Sequence, residues 1–366
     1  MLRVLHVLGG LKLGGSESFV MNLYGNIDRS RIQFDFVKHT TDEEDYDNTI
    51  KAMGGKIYNC PRFSAASAIQ YAKWWEVFFE EHPEYTVVHC HVRSTAIIII
   101  QKAHKYGKYI ISHSHSTSNG TGLSASIKDL MQLPIRNHAD YMLACSQEAG
   151  EWLFGKKATK GSNFVVIKNA IDVQRFCYNE SVRCSLRRQL GLNDCFVIGH
   201  VGRFIPAKNH SFLVDLFPCI LNKEPNARML LVGQGETLDD IKKEVEFKGL
   251  SDKIIFAGSK PNVEDYYQAM DAFVFPSIWE GLGISLVEAQ TSGLPCIVSE
   301  RIPVIADIGA GLFSTVKLTD KKEMWVDKIL LSKTNQRKDR SEYTIESGYD
   351  IQANAKFMEN FYIERK

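Results

Sequence analysis

Short apolar, β-branched runs alternate along this chain with longer amphipathic stretches. In the first half the runs at 2–8, 33–37, 56–58, 87–90, 109–112, 141–144 and 164–167 predict strands. Stretches at 16–26, 65–81, 96–106 and 125–137 carry apolar residues at helical spacing and predict helices between them. A second series follows, with strands expected at 196–201, 228–232, 254–257, 272–275, 296–298 and 312–314. Helices are expected at 210–221, 238–248 and 263–269. Strand–helix alternation predicts a parallel sheet covered by helices, here twice over. The expected architecture is α/β, with two Rossmann-like, doubly wound domains. A turn-like KNAIDVQRF segment at 168–176 precedes a charged helix and puts the boundary near residue 170.

The length of 366 residues suits about two domains. Lys plus Arg number 44 and Asp plus Glu 43, a net charge of +1 that argues against a polyanion-coating, nucleic-acid-binding surface. The layout is uneven: residues 1–170 hold 19 basic and 16 acidic side chains, the remainder 25 and 27, and nine of the 11 histidines lie in the first half. The longest strongly apolar stretch, 96–100, is far short of the ~20 residues of a membrane span. The N-terminus lacks a signal-peptide core and cleavage site, so it reads as a first strand, with a cytoplasmic location expected. Eight cysteines without a CxxC pair read as reduced, mostly buried thiols.

After the first strand comes GGLKLGGSES, with Gly9, Gly10, Gly14 and Gly15. Glycines between a strand and a helix suit an anion, but the P-loop lysine and the dinucleotide GxGxxG are both absent. A structural turn and a ligand-approaching loop both stay open. His89 and His91, then His113 and His115, form two i, i+2 pairs at strand ends. Three readings stand: a metal set, structural histidines, or polar contacts to a substrate. Asp45-Tyr46-Asp47 has the look of a metal-binding DxD, yet it lies in an acidic run at 42–47 with no apolar strand before it, and a solvated loop is expected.

The second half is more specific. Strand 196–201 runs into GRFIPAKN, supplying Arg203 and Lys208. Strand 228–232 ends in GQGE with Gly235, strand 254–257 in GSKPN with Ser259, and strand 272–275 in PSIWEGLGISLVEA. Four strands thus deliver glycines, cations or carboxylates to the edge where open α/β sheets bind ligands. Glu280 lies in a loop, the amides of Leu282, Gly283 and Ile284 begin a helix that would face an anion, and Glu288 lies one turn inside it. Arg203 and Lys208 form a clamp suited to a diphosphate.

These motifs, with GGSE at 14–17, NAIDVQRF at 169–176 and GYDIQANAKFMENFY at 348–362, resemble the retaining glycosyltransferases of family 4, which have the GT-B fold. The EGLGISLVE segment at 280–288 resembles the family's E-x7-E motif, and the chain is similar to the subgroup that builds bacterial capsule and exopolysaccharide. The resemblance implies two domains facing across a cleft. Residues 1–170 would form the acceptor-side domain, rejoined by a C-terminal helix at about 346–366, and 171–345 the donor domain. It implies transfer of a hexose from a nucleotide-diphosphate donor, UDP-linked, to a glycan or lipid-linked glycan, without metal or cofactor.

Carried over residue by residue, Arg203 and Lys208 would hold the diphosphate and Glu288 the ribose. Glu280 would bind the donor sugar with the backbone of Leu282, Gly283, Ile284 and Ser285. Gly14, Gly15, Gly235 and Ser259 would approach the donor, and His115 would be the active-site histidine beside catalytic Glu280. His113, His91 and Arg93, with a loop at 115–127, would face the acceptor. Two departures are Ala170 after Asn169 and Asn209 after Lys208, where the family has Gly. Trp74, Trp75 and Phe78 could meet the inner membrane face as a peripheral contact, or form helix core. No nucleic-acid partner is expected. A GT-B-like nucleotide-sugar epimerase, a metallohydrolase resting on the paired histidines alone, and a non-catalytic sugar-nucleotide binding protein are the alternatives.

Overall fold

The computed structural model describes residues 1–12, 14–118 and 122–365, without the side chains of 123 and 124. The chain divides into two compact units, residues 1–170 with 351–366, and residues 171–350.

The first unit contains β1 (Leu2–Val7), α1 (Gly15–Asn26), β2 (Ile32–Lys38), α2 (Asp47–Ala52), β3 (Ile57–Asn59), α3 (Ala68–Glu81), β4 (Val87–Cys90), α4 (Ala96–Lys105) and β5 (Tyr109–Ser114). It continues with α5 (Leu123–Gln132), α6 (Ile135–His138), β6 (Tyr141–Ala144), α7 (Gln147–Phe154) and β7 (Phe164–Val166). All seven strands are parallel, in the order β3-β2-β1-β4-β5-β6-β7. Helices cover both faces, so the central strands are buried without alternation: Val4, Leu5 and Val7 are all fully buried, and so is His6 between them.

Three expectations change here. The helix expected at 125–137 is two, because Pro134 has no N–H to continue the ladder and crowds the preceding turn. Trp75 and Phe78 are buried in the core with Tyr71 and Phe79, and Trp74 packs against them, so these aromatics form no exposed face. The acidic run is not simply solvated: it runs into α2, and Asp47 is buried against Lys38.

The second unit contains α8 (Val173–Phe176), α9 (Glu180–Gln189), β8 (Phe196–Val201), α10 (His210–Lys223), β9 (Ala227–Val232), α11 (Leu238–Phe247), β10 (Ile254–Gly258), α12 (Val263–Ala269) and β11 (Ala272–Phe275). After these come α13 (Ile284–Thr291), β12 (Cys296–Ser299), β13 (Phe313–Val316), α14 (Lys322–Leu331) and α15 (Ser341–Glu346). Its six strands are again parallel, ordered β10-β9-β8-β11-β12-β13. After a turn at 347–348 the chain returns to the first unit as α16 (Ile351–Ile363), which packs on α1 and buries Met358, Phe361 and Tyr362 in that unit's core. The Glu359 carboxylate accepts from the Asp28 amide at 2.6 Å.

Both sheets reverse strand order at one place, between β1 and β4 and between β8 and β11. Loops leaving neighbouring strands diverge there and open a ligand crevice at the carboxyl edge. No helix among the described residues is long and apolar enough to cross a membrane.

Candidate functional site

At the second unit's switch point the loop after β8 is fastened to the loop after β9. Gly202 and Phe204 donate to the carbonyls of Val232 and Gln234, at 3.0 and 2.9 Å, and Thr237 donates back to Phe204 at 3.0 Å. Contact is so close that a Cβ on Gly233 would lie 2.0 Å from the Gly202 oxygen, and one on Gly235 2.3 Å from the Phe204 oxygen. Gly235 therefore fixes the backbone that carries Arg203, whose side chain is exposed at the edge. Ser259 is exposed just beyond β10.

A short 3-10 turn over Pro206–Lys208 follows, ending at Asn209 with φ +58. Asn is among the few residues besides Gly that enter this region readily, which explains why it can stand where the family pattern has Gly. Its side chain donates to the Pro276 carbonyl at 3.2 Å, and Ile278 donates to Ala207 at 2.8 Å. These bonds tie the loops after β8 and β11 together and bring Lys208 onto Glu280 as an ion pair, both side chains about 15% exposed. The ammonium also lies 4.6 Å from the centre of the Phe275 ring. Gly283, at φ +75, begins α13, and no side chain caps that end. The helix N-terminus thus presents uncapped backbone donors and partial positive charge beside the Lys208–Glu280 pair. Leu282 and Ile284 are partly buried there, and Ser285 is buried.

One turn further in, the Glu288 carboxyl accepts the Tyr267 hydroxyl at 2.6 Å. Desolvation raises its pKa to about 7, the tyrosine bond and Arg175 pulling the other way. Arg175 is itself paired with Glu264 at 2.8 Å. Sequence reasoning missed Tyr267, since an aromatic in α12 reads as core and only the fold sets it against α13. It also passed over Trp279, 70% exposed beside Glu280. His200 and His210 are buried with ring centres 4.7 Å apart. Burial and the charge of Lys208 hold both neutral, His210 at a pKa of about 4.

In the first unit Gly14 is the N-cap of α1 and Gly15 its first residue. The acidic segment holds this glycine-rich loop: Glu44 accepts from the Leu11 amide, and the Tyr46 and Ser18 hydroxyls meet at 3.1 Å. Lys38 donates to Asp47 at 2.5 Å and to the Asp42 carbonyl at 2.6 Å. Asp47 is therefore committed to a buried lysine, and the DxD reading has no second carboxylate to offer.

The histidine pairs converge with a fifth, His6, which the sequence did not single out. His6 Nδ1 meets His91 Nε2 at 3.0 Å, and His91 Nδ1 meets His115 Nε2 at 2.8 Å. In a parallel chain, Tyr362 bonds His89 at 2.6 Å and His89 bonds His113 at 3.1 Å. Burial keeps all five neutral, with His6 and His115 at pKa values of about 3, the charge of Arg93 adding to the effect at His115. A neutral imidazole carries one proton. The His6–His91–His115 chain can therefore be protonated in two ways, and His115 Nδ1, which has no partner among the described residues, is a donor in one and an acceptor in the other. Two triplets, His6-His89-His91 and His91-His113-His115, have ring nitrogens within 4.8 Å of one another, a donor set that suits a transition-metal ion. Arg93 donates to the Ser118 carbonyl at 3.0 Å and lies over Trp152. Of the expected 115–127 acceptor loop, residues 119–121 lie outside the described residues.

Comparison with known proteins gives a consistent picture. Residues 13–175 match the family described as Glycosyltransferase Family 4, and residues 183–349 match Glycosyl transferases group 1. EpsF of Bacillus subtilis (strain 168), named as a glycosyltransferase, is 32% identical over 98% of this chain and 96% of its own length. An Escherichia coli protein named UDP-Gal:alpha-D-GlcNAc-diphosphoundecaprenol alpha-1,3-galactosyltransferase is 33% identical over 37% of this chain and 36% of its own. Among solved structures, Anabaena HepE in complex with UDP is similar over 100% of both chains, with a TM-score of 0.79 at 16% identity, a likeness of fold.

Proposed function

The chain belongs to the glycosyltransferases, family 4 over its first half and group 1 over its second, and on that premise we propose that it moves a sugar from a UDP-linked donor to a glycan acceptor of surface-polysaccharide synthesis. The transfer retains anomeric configuration and needs no metal. The observation that carries this reading is the Lys208–Glu280 pair beside the uncapped N-terminus of α13, within one unit. In the free protein each charge compensates the other. A bound diphosphate takes over Lys208, with Arg203 and the α13 amides, and releases Glu280 to accept hydroxyls of the donor sugar. Ionised Glu288 accepts the ribose hydroxyls, with Gly235 and Ser259 along the same edge. In the first unit, Gly14 and Gly15 form a ligand-approaching turn at the start of α1, while His115, backed by His91 and His113, and Arg93 meet the acceptor.

As the glycosidic bond breaks, negative charge gathers on the leaving diphosphate. Preorganised cations then contribute most, about 3 kcal/mol for one such donor. The Lys208→Ala variant should therefore lose on the order of 100-fold or more in kcat/KM for the donor while its melting curve is preserved. Turnover within a few-fold of wild type would overturn the assignment. The carrier is tested by titrating UDP-, GDP- and ADP-sugars calorimetrically, with UDP-sugars expected to bind tightest. EpsF and the galactosyltransferase named above support a glycan acceptor, and the latter's name specifies one linked to diphosphoundecaprenol.

A further inference from the structure

Arg337, in the irregular segment between α14 and α15, is a half-buried cation with no carboxylate paired to it among the described residues. Asp271 acts on it through charge but is committed to Arg183 and Arg187, at 2.5 and 3.0 Å. The Arg337 guanidinium grips backbone instead. Nη1 donates to the carbonyls of Tyr267, Gln268 and Met270, at 3.2, 2.7 and 2.9 Å. Nε donates to the Ser292 carbonyl at 3.2 Å, and Nη2 donates to the same oxygen. These carbonyls end α12 and α13, where the last turn of a helix leaves acceptors unpaired and carries partial negative charge. The guanidinium also lies 4.5 Å from the centre of the Tyr178 ring. Its segment is pressed onto the end of α13: a Cβ on Gly293 would lie 2.4 Å from the Lys338 oxygen.

One side chain thus spans two helix ends, and those helices carry the two members of the Tyr267–Glu288 bond. On α12, one of the carbonyls held belongs to Tyr267 itself. On α13, the Ser292 amide donates to the Glu288 carbonyl at 3.0 Å, so Arg337 grips the turn that follows Glu288. A planar guanidinium fork can reach both ends at once, whereas an ammonium has all its donors on one atom.

We propose that Arg337 is a positioning residue for the donor site, fixing the spacing of α12 and α13 at which the Tyr267 hydroxyl reaches Glu288. The inference rests on the reading of Glu288 as the ribose-binding carboxylate and adds the residue that holds its partner in place. The Tyr267 bond favours the ionised carboxylate, as Arg175 does through its charge, while burial and the charge of Glu264 oppose it. Of these groups Arg337 bonds only Tyr267. Loosening the two helix ends should therefore cost the Tyr267 bond and raise the pH at which Glu288 loses its proton.

The experiment is calorimetric titration of the full chain with UDP between pH 6 and 8.5, on wild type, Arg337→Lys, Tyr267→Phe and the double variant. Relative to wild type, Arg337→Lys should bind UDP about fivefold more weakly at pH 6 and within about twofold at pH 8.5, the pattern of one hydrogen bond lost from the charged form. Tyr267→Phe should show the same pattern. The double variant should lose no more than either single variant, since both substitutions remove one interaction. A uniform loss across the range, an unchanged affinity, or a double variant in which the two losses multiply would each overturn the proposal. Should Arg337→Lys not fold, Tyr178→Leu removes only the ring beside the guanidinium. It should weaken binding at pH 6 by about twofold or more and less at pH 8.5, and a ratio to wild type that does not vary with pH would overturn the proposal. Failure of UDP to bind wild type would instead reject the donor reading. The melting temperature of the ligand-free second unit would then decide the positioning role: the pH window over which it falls should extend upward in Arg337→Lys, and an unmoved window would overturn it.

Discussion

Glu288 offers a quantitative test, because its function and its cost are set by the same burial. Its folded pKa of about 7 stands above the ordinary 4.5, with desolvation the first cause. Between those values the folded state binds more protons than the unfolded chain, so stability falls as pH rises through that window and levels off above the folded pKa. At about 1.4 kcal/mol per pKa unit the full effect is about 3 kcal/mol, most of it developed between about pH 5 and 8. Glu288→Gln keeps an oxygen for the Tyr267 hydroxyl and carries no charge. The melting temperature of the second unit, residues 171–350, should therefore match or slightly exceed wild type at pH 5 and exceed it by ~5 °C or more at pH 8, given ~2–4 °C per kcal/mol for a unit of that size. Scanning calorimetry across that pH range is the assay. Donor binding should move the opposite way. Wild-type affinity for UDP should improve as pH rises through 7, since the ionised carboxylate accepts both ribose hydroxyls, and the variant should bind weakly with a flat profile. A wild type and variant whose melting temperatures run parallel from pH 5 to 8 would refute the reasoning.

Activity should be unchanged in excess EDTA; a strict metal requirement, restored by a transition ion and abolished in His113→Ala, would move the chemistry to the histidine triplets. Asp47→Asn should destabilise the first unit by about 3–5 kcal/mol by leaving Lys38 buried without its counter-charge. Denaturant unfolding followed by intrinsic tryptophan fluorescence would report it, and a loss below about 1 kcal/mol would show that the pair is not buried in solution.

The strands were legible because both sheets are buried on two faces, and unbroken apolar runs between amphipathic stretches leave few alternatives. All 13 expected strands occur, most shifted by a residue or two at an end. Helix ends were less legible where a single residue decides, as Pro134 does between α5 and α6. The acidic run misled because charge density reads as solvent exposure, and only the fold places Lys38 where Asp47 can reach it.

The sequence by itself determined the α/β class, the family, and the residues clustered within single loops, among them Lys208, Glu280 and the glycines of the E-x7-E segment. Those features are local, since a strand end, a turn and a helix start lie within about a dozen residues. Tertiary structure alone decided the pairings that cross the chain: Tyr267 on Glu288, His6 joining histidines 85 and more residues away, and Tyr362 of α16 on His89. The physical reason is that parallel strands bring distant segments to one edge. Which side chains meet there depends on strand order and register, and neither is written in any single stretch of the chain.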